Sequence, residues 1–248
     1  MRSLRSDLTV LYHLALRPIR GRDHAQRMED FYRGQAEHYD RFRERLLRGR
    51  EELFRSLSVP EGGVWVDLGG GTGANLQWLD GRIQTLRKVY VVDLSTSLLD
   101  VARGRAEARG WHNVEAVRHD ATTFRPAEGG ADVVTFSYAL TMIPDWYAAV
   151  ANAEAMLKPK GVIGVVDFYV SRKHPADGMI RHGWMTRAFW PLWFGTDNVF
   201  LSPDHLPLLQ NRFETIALHE ERARVPYVPF GRVPYYAFRG RKSAGRGT

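Results

Sequence analysis

The chain contains no cysteine in its 248 residues. This removes disulfides, thiolate nucleophiles and thiolate metal sites together, and it accords with a reducing compartment. Its nine histidines show no HExxH or comparable spacing, so no metal is expected. Long apolar runs are missing as well. None approaches the ~18 residues that a membrane span requires, and Arg2, Arg5 and Asp7 interrupt what would be the apolar stretch of a signal peptide. The expected location is therefore cytoplasmic. Negative charge is in the minority: 35 Lys and Arg against 28 Asp and Glu leave a formal net charge of +7. Such a surface attracts an acidic partner, either nucleic acid or an anionic membrane face, and charge alone does not choose between them. Internal repeats and low-complexity segments are absent, and the length suits one α/β domain with room for an insertion.

Within that domain, apolar, β-branched runs occur at 64–68, 88–94, 114–120, 131–138 and 161–168, each reading as a strand buried on both faces. Helical patterns lie between them: 74–79, a segment capped by Ser95, and 145–157 before Lys158, Pro159, Lys160 and Gly161. This alternation predicts a doubly wound, mostly parallel sheet. FETIALHEERARV and VPYYAFRGRK read as an antiparallel C-terminal hairpin closing one edge, which brings the expected sheet to seven strands. The expected organisation is an amphipathic arm and lid over residues 1–58, a cofactor-binding core over 59–170, and an aromatic insertion with the edge hairpin over 171–248. In the arm, Leu4, Leu8, Leu11, Ala15 and Ile19 recur at helical spacing among arginines. The dense arginines of RFRERLLRGRE are expected on a solvated helix face.

The stretch VWVDLGGGTGAN joins the first strand to a glycine turn. Gly69, Gly71 and Gly73 permit a tight turn and let the backbone approach a nucleotide. The spacing also fits the dinucleotide fingerprint, so the glycines do not separate a nicotinamide cofactor from S-adenosylmethionine. Asp67 does: a carboxylate two residues before the first glycine repels pyrophosphate and attracts an ammonium group. Asp93 ends the second strand, where a carboxylate accepts hydrogen bonds from ribose hydroxyls. Asp120, followed by Ala121, ends the third and is placed either for an adenine amino group or to cap a turn. Leu94 and Ser137, at the ends of the second and fourth strands, complete the expected cofactor set.

VWVDLGGGTGAN, VYVVDLS, RHDATTF and LKPKG resemble the motifs of class I S-adenosylmethionine-dependent methyltransferases. Over nearly the whole chain, FYRGQAEHYDRFR, TFSYALTMIPDW, VVDFYVSRKHP, FWPLWF and NVFLSPDHLP are similar to the N-methyltransferase of betaine-lipid synthesis. The resemblance implies three methyl transfers to diacylglyceryl homoserine at a membrane surface, on its inner, cytoplasmic face, with no nucleic acid involved. It covers only the methylating half of that pathway, so a separate enzyme is expected to supply the homoserine lipid. In related enzymes the segment matching FYRGQAEHYD is a lid, which makes Tyr32 and Tyr39 expected cofactor contacts. Lys160 stands where the wider superfamily usually has glycine.

Methyl transfer from a sulfonium needs alignment and exclusion of water rather than a metal. Each of the first two transfers to a primary amine also disposes of a proton, through a side chain or to water. Tyr138, Asp167, Tyr169 and His174 are candidates for that role, with Tyr138 foremost. Aromatic rings suited to hold a methylated cation are Tyr138, Trp146, Tyr169 and Trp184. Arg172, Lys173 and His174 form either a site for the homoserine carboxylate or a solvated loop. The segment 179–195, rich in tryptophan and phenylalanine, suits lipid tails, a bilayer interface or a cap on the core. Two competing readings are an RNA or DNA methyltransferase and a cofactor-binding regulator without turnover. SYAL after the fourth strand, in place of an NPPY-like loop, disfavours base methylation.

Overall fold

The computed structural model describes residues 46–195, 198–225 and 231–243. Its elements, numbered within those residues, are α1 (Arg50–Ser56), β1 (Val64–Leu68), a 3-10 segment (Ala74–Thr85), β2 (Lys88–Asp93), α2 (Thr96–Ala108), β3 (Val114–Arg118), β4 (Ala131–Ser137), α3 (Trp146–Met156), β5 (Leu157–Phe168), α4 (Trp184–Gly195), α5 (His205–Arg212), β6 (Glu214–Arg224) and β7 (Arg232–Arg241). The strands form one sheet of seven in the order β3-β2-β1-β4-β5-β7-β6. The first five pair in parallel, and β7 lies antiparallel between β5 and β6.

The order reverses between β1 and β4, where the chain leaves on one side of the sheet and returns on the other. That switch point opens a crevice at the carboxyl ends of the strands. β1 at the centre is buried throughout, and its side chains divide between two cores. Trp65 stacks on Phe54 of α1 at 5.6 Å, while Val64, Val66 and Leu68 pack with Val150 and Ala153 of α3. The helix signals act locally as expected. The Ser95 hydroxyl accepts from Leu98 N at 3.3 Å, and the Asp145 carboxylate accepts from Ala148 N at 3.0 Å, each filling one of the orphan donors at a helix start.

Four expectations need correction. β3 is half-exposed instead of buried on both faces, because it is an outer strand of the sheet and has a neighbour on one side only. The 74–79 helix is a 3-10 segment that runs on to Thr85 across a kink at Asp80. β5 begins at Leu157, four residues before the expected start. Its pairing with β4 shifts register between Ala131 and Val133, and Lys160 takes a left-handed conformation with φ 66. The superfamily glycine therefore has a conformational role that Lys160 fulfils under strain. Finally, Arg50 is buried, not solvated. Its Nη1 donates to Asn75 Oδ1 at 3.3 Å, and its guanidinium lies over the Trp78 ring at 5.2 Å. No helix among the described residues is long and apolar enough to cross a membrane.

Candidate functional site

The crevice at the switch point is a cavity of about 260 Å³. The glycine turn forms its floor. Gly69, Gly71 and Gly73 have φ of 69, 55 and 65, the left-handed region that a Cβ disfavours. At Gly69 space forbids a side chain as well, since a Cβ there would lie 2.5 Å from the Ala139 Cβ. Gly69 and Gly71 line the cavity. Gly73 lies outside the lining and starts the 3-10 segment, accepting from Leu76 N at 3.1 Å.

Asp93 holds this floor in shape. One carboxylate oxygen accepts from Gly71 N at 3.0 Å and the other from Ser95 N at 2.9 Å, so a single side chain fixes the turn after β1 to the start of α2. Leu94, Asp120 and Ala121 join it in the wall, as expected of them. Asp120 also fills the alternative role, because its Oδ1 accepts from Thr122 N at 2.8 Å and from Thr122 Oγ1 at 2.7 Å. The remaining wall includes Leu98, His119, Met142, Ile143, Pro144 and Asp145, none of which the strand-end argument singled out. They belong to the first turn of α2 and to the loops after β3 and β4, where only the strand-end positions carried a sequence signal.

Among the described residues, the titratable ones in this lining are Asp93, His119, Asp120, Tyr138 and Asp145, with no lysine or arginine. In a chain of net charge +7 that is a local reversal of sign. Three carboxylates in the described lining favour a ligand that carries a sulfonium and an ammonium over one that carries a pyrophosphate. The lining therefore fits S-adenosylmethionine.

Several expected residues lie elsewhere. Asp67 is fully buried beneath the floor, outside the lining. It accepts from Thr135 Oγ1 at 2.7 Å, and Thr135 in turn accepts from Trp65 Nε1 at 3.0 Å. Ser137 is also absent from the lining, and its buried hydroxyl has no hydrogen-bond partner among the described residues. Tyr138 does form cavity wall, with φ 53. However, its hydroxyl donates to the Arg48 carbonyl at 2.7 Å, and burial followed by the nearby Asp167 charge raises its pKa well above the ordinary value. It is a wall, not a proton acceptor at neutral pH. Asp167, another candidate base, is fully buried and lies outside the lining. Its carboxylate accepts from Thr141 Oγ1 at 2.7 Å and Thr141 N at 3.2 Å, clamping the loop that supplies Met142, Ile143 and Pro144. Burial pushes its pKa up to about 7.

A second cavity, of about 280 Å³, gathers Tyr169, Arg172 and His174 with Leu206 and Gln210. It shares no lining residue with the first. The Tyr169 hydroxyl donates to Glu220, and burial raises its pKa. Arg172 is paired with Asp204 at 2.7 Å. Lys173 is exposed and lines neither cavity. The expected catalytic and carboxylate-binding residues after β5 are thus apart from the first cavity, and Tyr169 and Arg172 are committed to structural partners. Trp146 packs edge-on to His205 at 4.5 Å outside the lining, and Trp184 is 73% exposed. Tyr32 and Tyr39 lie outside the described residues. So do residues 41–45 of the arginine-rich stretch. Among the described residues no group of three or more His, Asp and Glu is placed to hold a metal ion.

Comparison with known proteins agrees with this geometry. A family model described as a methyltransferase domain matches residues 66–161. The demethylmenaquinone methyltransferase of Geobacillus stearothermophilus is 27% identical over 142 residues, 55% of this chain and 61% of that one. The ubiquinone/menaquinone biosynthesis C-methyltransferase of Teredinibacter turnerae is 24% identical over 162 residues, 63% of this chain and 65% of the relative. The chain thus spans about three-fifths of the length of the curated relatives it matches. Among solved structures, a putative methyltransferase from Bacillus halodurans superposes with TM-score 0.62 at 18% identity, covering 79% of this chain and 99% of the other. Phosphoethanolamine N-methyltransferase 2 of Haemonchus contortus, in complex with phosphomonomethylethanolamine and S-adenosylhomocysteine, gives 0.58 at 16% identity, with 77% and 51% covered. The chain therefore has the class I methyltransferase fold, its residues 66–161 are similar to a methyltransferase domain, and S-adenosylmethionine is the cofactor that this fold and its lining fit.

Proposed function

We propose that the chain methylates the primary amine of diacylglyceryl homoserine three times, giving the N,N,N-trimethyl betaine lipid. The sequence motifs that extend beyond the cofactor core, TFSYALTMIPDW and NVFLSPDHLP among them, support this acceptor. The observation that carries the reading is the acidic lining of the cavity, to which Asp93, Asp120 and Asp145 contribute and, among the described residues, no lysine or arginine does. An acceptor that gains positive charge with each transfer, ending as a permanent cation, is favoured by such a wall. When bound, the cofactor supplies an electrophilic methyl group. The chain's part is to hold the amine in line with it, beside the Tyr138 ring and the apolar Met142 and Ile143, and to keep water out. The first two transfers release a proton from the alkylated nitrogen. Of the candidate bases, Tyr138, Asp167 and Tyr169 are buried and hydrogen-bonded elsewhere and His174 lines the second cavity, so that proton goes to water at the cavity mouth, after the transfer itself.

A second reading is C-methylation of a quinone. The demethylmenaquinone and ubiquinone/menaquinone methyltransferases among the curated relatives favour it, and it shares with the first a small polar head on a long apolar body. The two are separated by offering the full-length protein S-adenosylmethionine labelled in the methyl group, with diacylglyceryl homoserine, demethylmenaquinone or phosphatidylethanolamine in mixed micelles. Sequential mono-, di- and trimethylated homoserine lipid is the expected product set. Label entering demethylmenaquinone alone supports the second reading, and equal labelling of phosphatidylethanolamine overturns the homoserine assignment.

A further inference from the structure

The aromatic segment after β5 has two faces with opposite fates. On one face of α4, Trp190 and Phe194 are 4% and 6% exposed. Phe194 stacks on Phe168 at 5.1 Å, and Phe168 meets Tyr138 of the cofactor cavity at 4.6 Å. This face is a cap on the core. On the other, Trp184, Leu192 and Trp193 are 73%, 78% and 45% exposed, with Met185 and Phe189 also outward. Ile180 before the helix and Phe200 after it are exposed too. Seven of the nine exposed large apolar side chains among the described residues thus lie between positions 180 and 200. Isolated exposed apolar residues are ordinary, whereas a contiguous set marks an interaction surface.

Charge and composition choose the occupant. No Asp or Glu stands between Asp177 and Asp197; Arg181 is exposed beside the patch, Glu220 is engaged by the Ile180 amide at 3.0 Å, and the whole chain is cationic by seven charges. A second copy docked through this face would set Arg181 against its own equivalent, since a two-fold contact uses the same patch twice. An anionic lipid surface instead complements it and accepts tryptophan and phenylalanine at its headgroup level. We infer that the outward face of α4, centred on Trp184, Leu192 and Trp193, seats the protein on an anionic bilayer interface. The buried face of the same helix reaches the cofactor cavity through Phe168 and Tyr138. The Phe200 amide donates to the Thr141 carbonyl at 2.7 Å, which fastens the patch to the loop lining that cavity. The patch and the loop that lines the cavity are thereby held together. The inference goes beyond the choice of acceptor, and it can fail or stand without it, because vesicle binding requires no methyl transfer.

The test uses the full chain and the variant Met185→Ser/Leu192→Ser/Trp193→Ser, whose sites are exposed and lie outside both cavity linings. Flotation with vesicles of phosphatidylglycerol and phosphatidylcholine is compared with flotation on phosphatidylcholine alone. The parent is expected to prefer the anionic vesicles, and lipids brominated near the headgroup are expected to quench its tryptophan fluorescence. The variant is expected to partition about tenfold more weakly or worse, since interfacial binding scales with apolar burial. It should retain its melting temperature and S-adenosylmethionine affinity. A variant that partitions within about twofold of the parent overturns the assignment, as does parent binding without quenching, because either result leaves charge alone as the attraction. A parent that dimerises in lipid-free buffer through this face, with the variant monomeric by sedimentation velocity, overturns it in favour of a second copy.

Discussion

The carboxyl edge of the sheet has two halves built on different principles. Around β1, β2 and β4 the site is mostly backbone: three glycines with positive φ and a carboxylate holding two amides. Beyond β5 it is mostly side chains satisfied by distant partners, Arg172 by Asp204 and Tyr169 by Glu220. The first half has left a cavity that, among the described residues, is lined by three carboxylates and that a ligand can enter. In the second, Tyr169 and Arg172, which looked available, are already occupied. A polar residue near a cavity is informative about function only once its partners are known.

The largest effect should follow from Gly69→Val. With φ 69 and a Cβ position 2.5 Å from the Ala139 Cβ, the substitution requires both strain and movement of the loop after β4. The expected cost is about 3 kcal/mol or more in stability, with S-adenosylmethionine binding lost by calorimetry. Asp93→Asn comes next. An asparagine side chain keeps one acceptor where two amides now donate, so cofactor affinity should fall by about 1.5–3 kcal/mol while the fold survives. Unchanged affinity in a folded variant would remove Asp93 from the site. By contrast, Arg172→Gln in the other half breaks only an exposed ion pair with Asp204. It should cost less than about 1 kcal/mol and leave cofactor affinity alone. A loss of affinity there as large as that of Asp93→Asn would erase the distinction between the halves.

A pH series sharpens the same comparison at the loop clamp. Burial raises Asp167 to about 7, above the ordinary carboxylate value, so the folded state holds its proton more tightly. Its stabilising contribution is full below the unfolded value and is lost as pH rises toward about 7. His205 has the opposite sign. Burial lowers it to about 3, so its contribution is present above the ordinary histidine value and is lost as pH falls. The two slopes oppose each other between about pH 4 and 6.5. Asp167→Asn should therefore make stability rise more steeply with pH in that window, as measured by urea denaturation. A slope identical to the parent's would mean that Asp167 is already ionised there. The smallest effect is expected at Lys160, where φ 66 favours glycine. Lys160→Gly should raise stability by about 0.5–1 kcal/mol, the reverse of placing a side chain where φ is positive.

Legibility in the sequence followed the same division. The alternation of strands and helices, the edge hairpin and the cap at Ser95 depend on local pattern and near neighbours, and they were readable. So were Gly69, Gly71, Asp93, Leu94, Asp120 and Ala121 in the cavity wall, since strand ends and positive-φ turns leave marks on the chain itself. Asp67 was read for its charge, but its place beneath the floor depends on Thr135, 68 residues away. Tyr169 and Arg172 were misplaced for the same reason, with partners 51 and 32 residues distant. The exposed and buried faces of α4 could not be told apart from composition. Apolar and aromatic residues occupy both, and only packing against Phe168 decides which face is core.

The central claim is that the acidic cavity over the glycine turn takes a cationic cofactor, and titration calorimetry of the full chain with S-adenosylmethionine and with NAD tests it directly. The account predicts one site for S-adenosylmethionine, weakened at least about tenfold by Asp93→Asn, and no heat from NAD. Binding of NAD that Asp93→Asn weakens in the same way, without competition from S-adenosylmethionine, would contradict it.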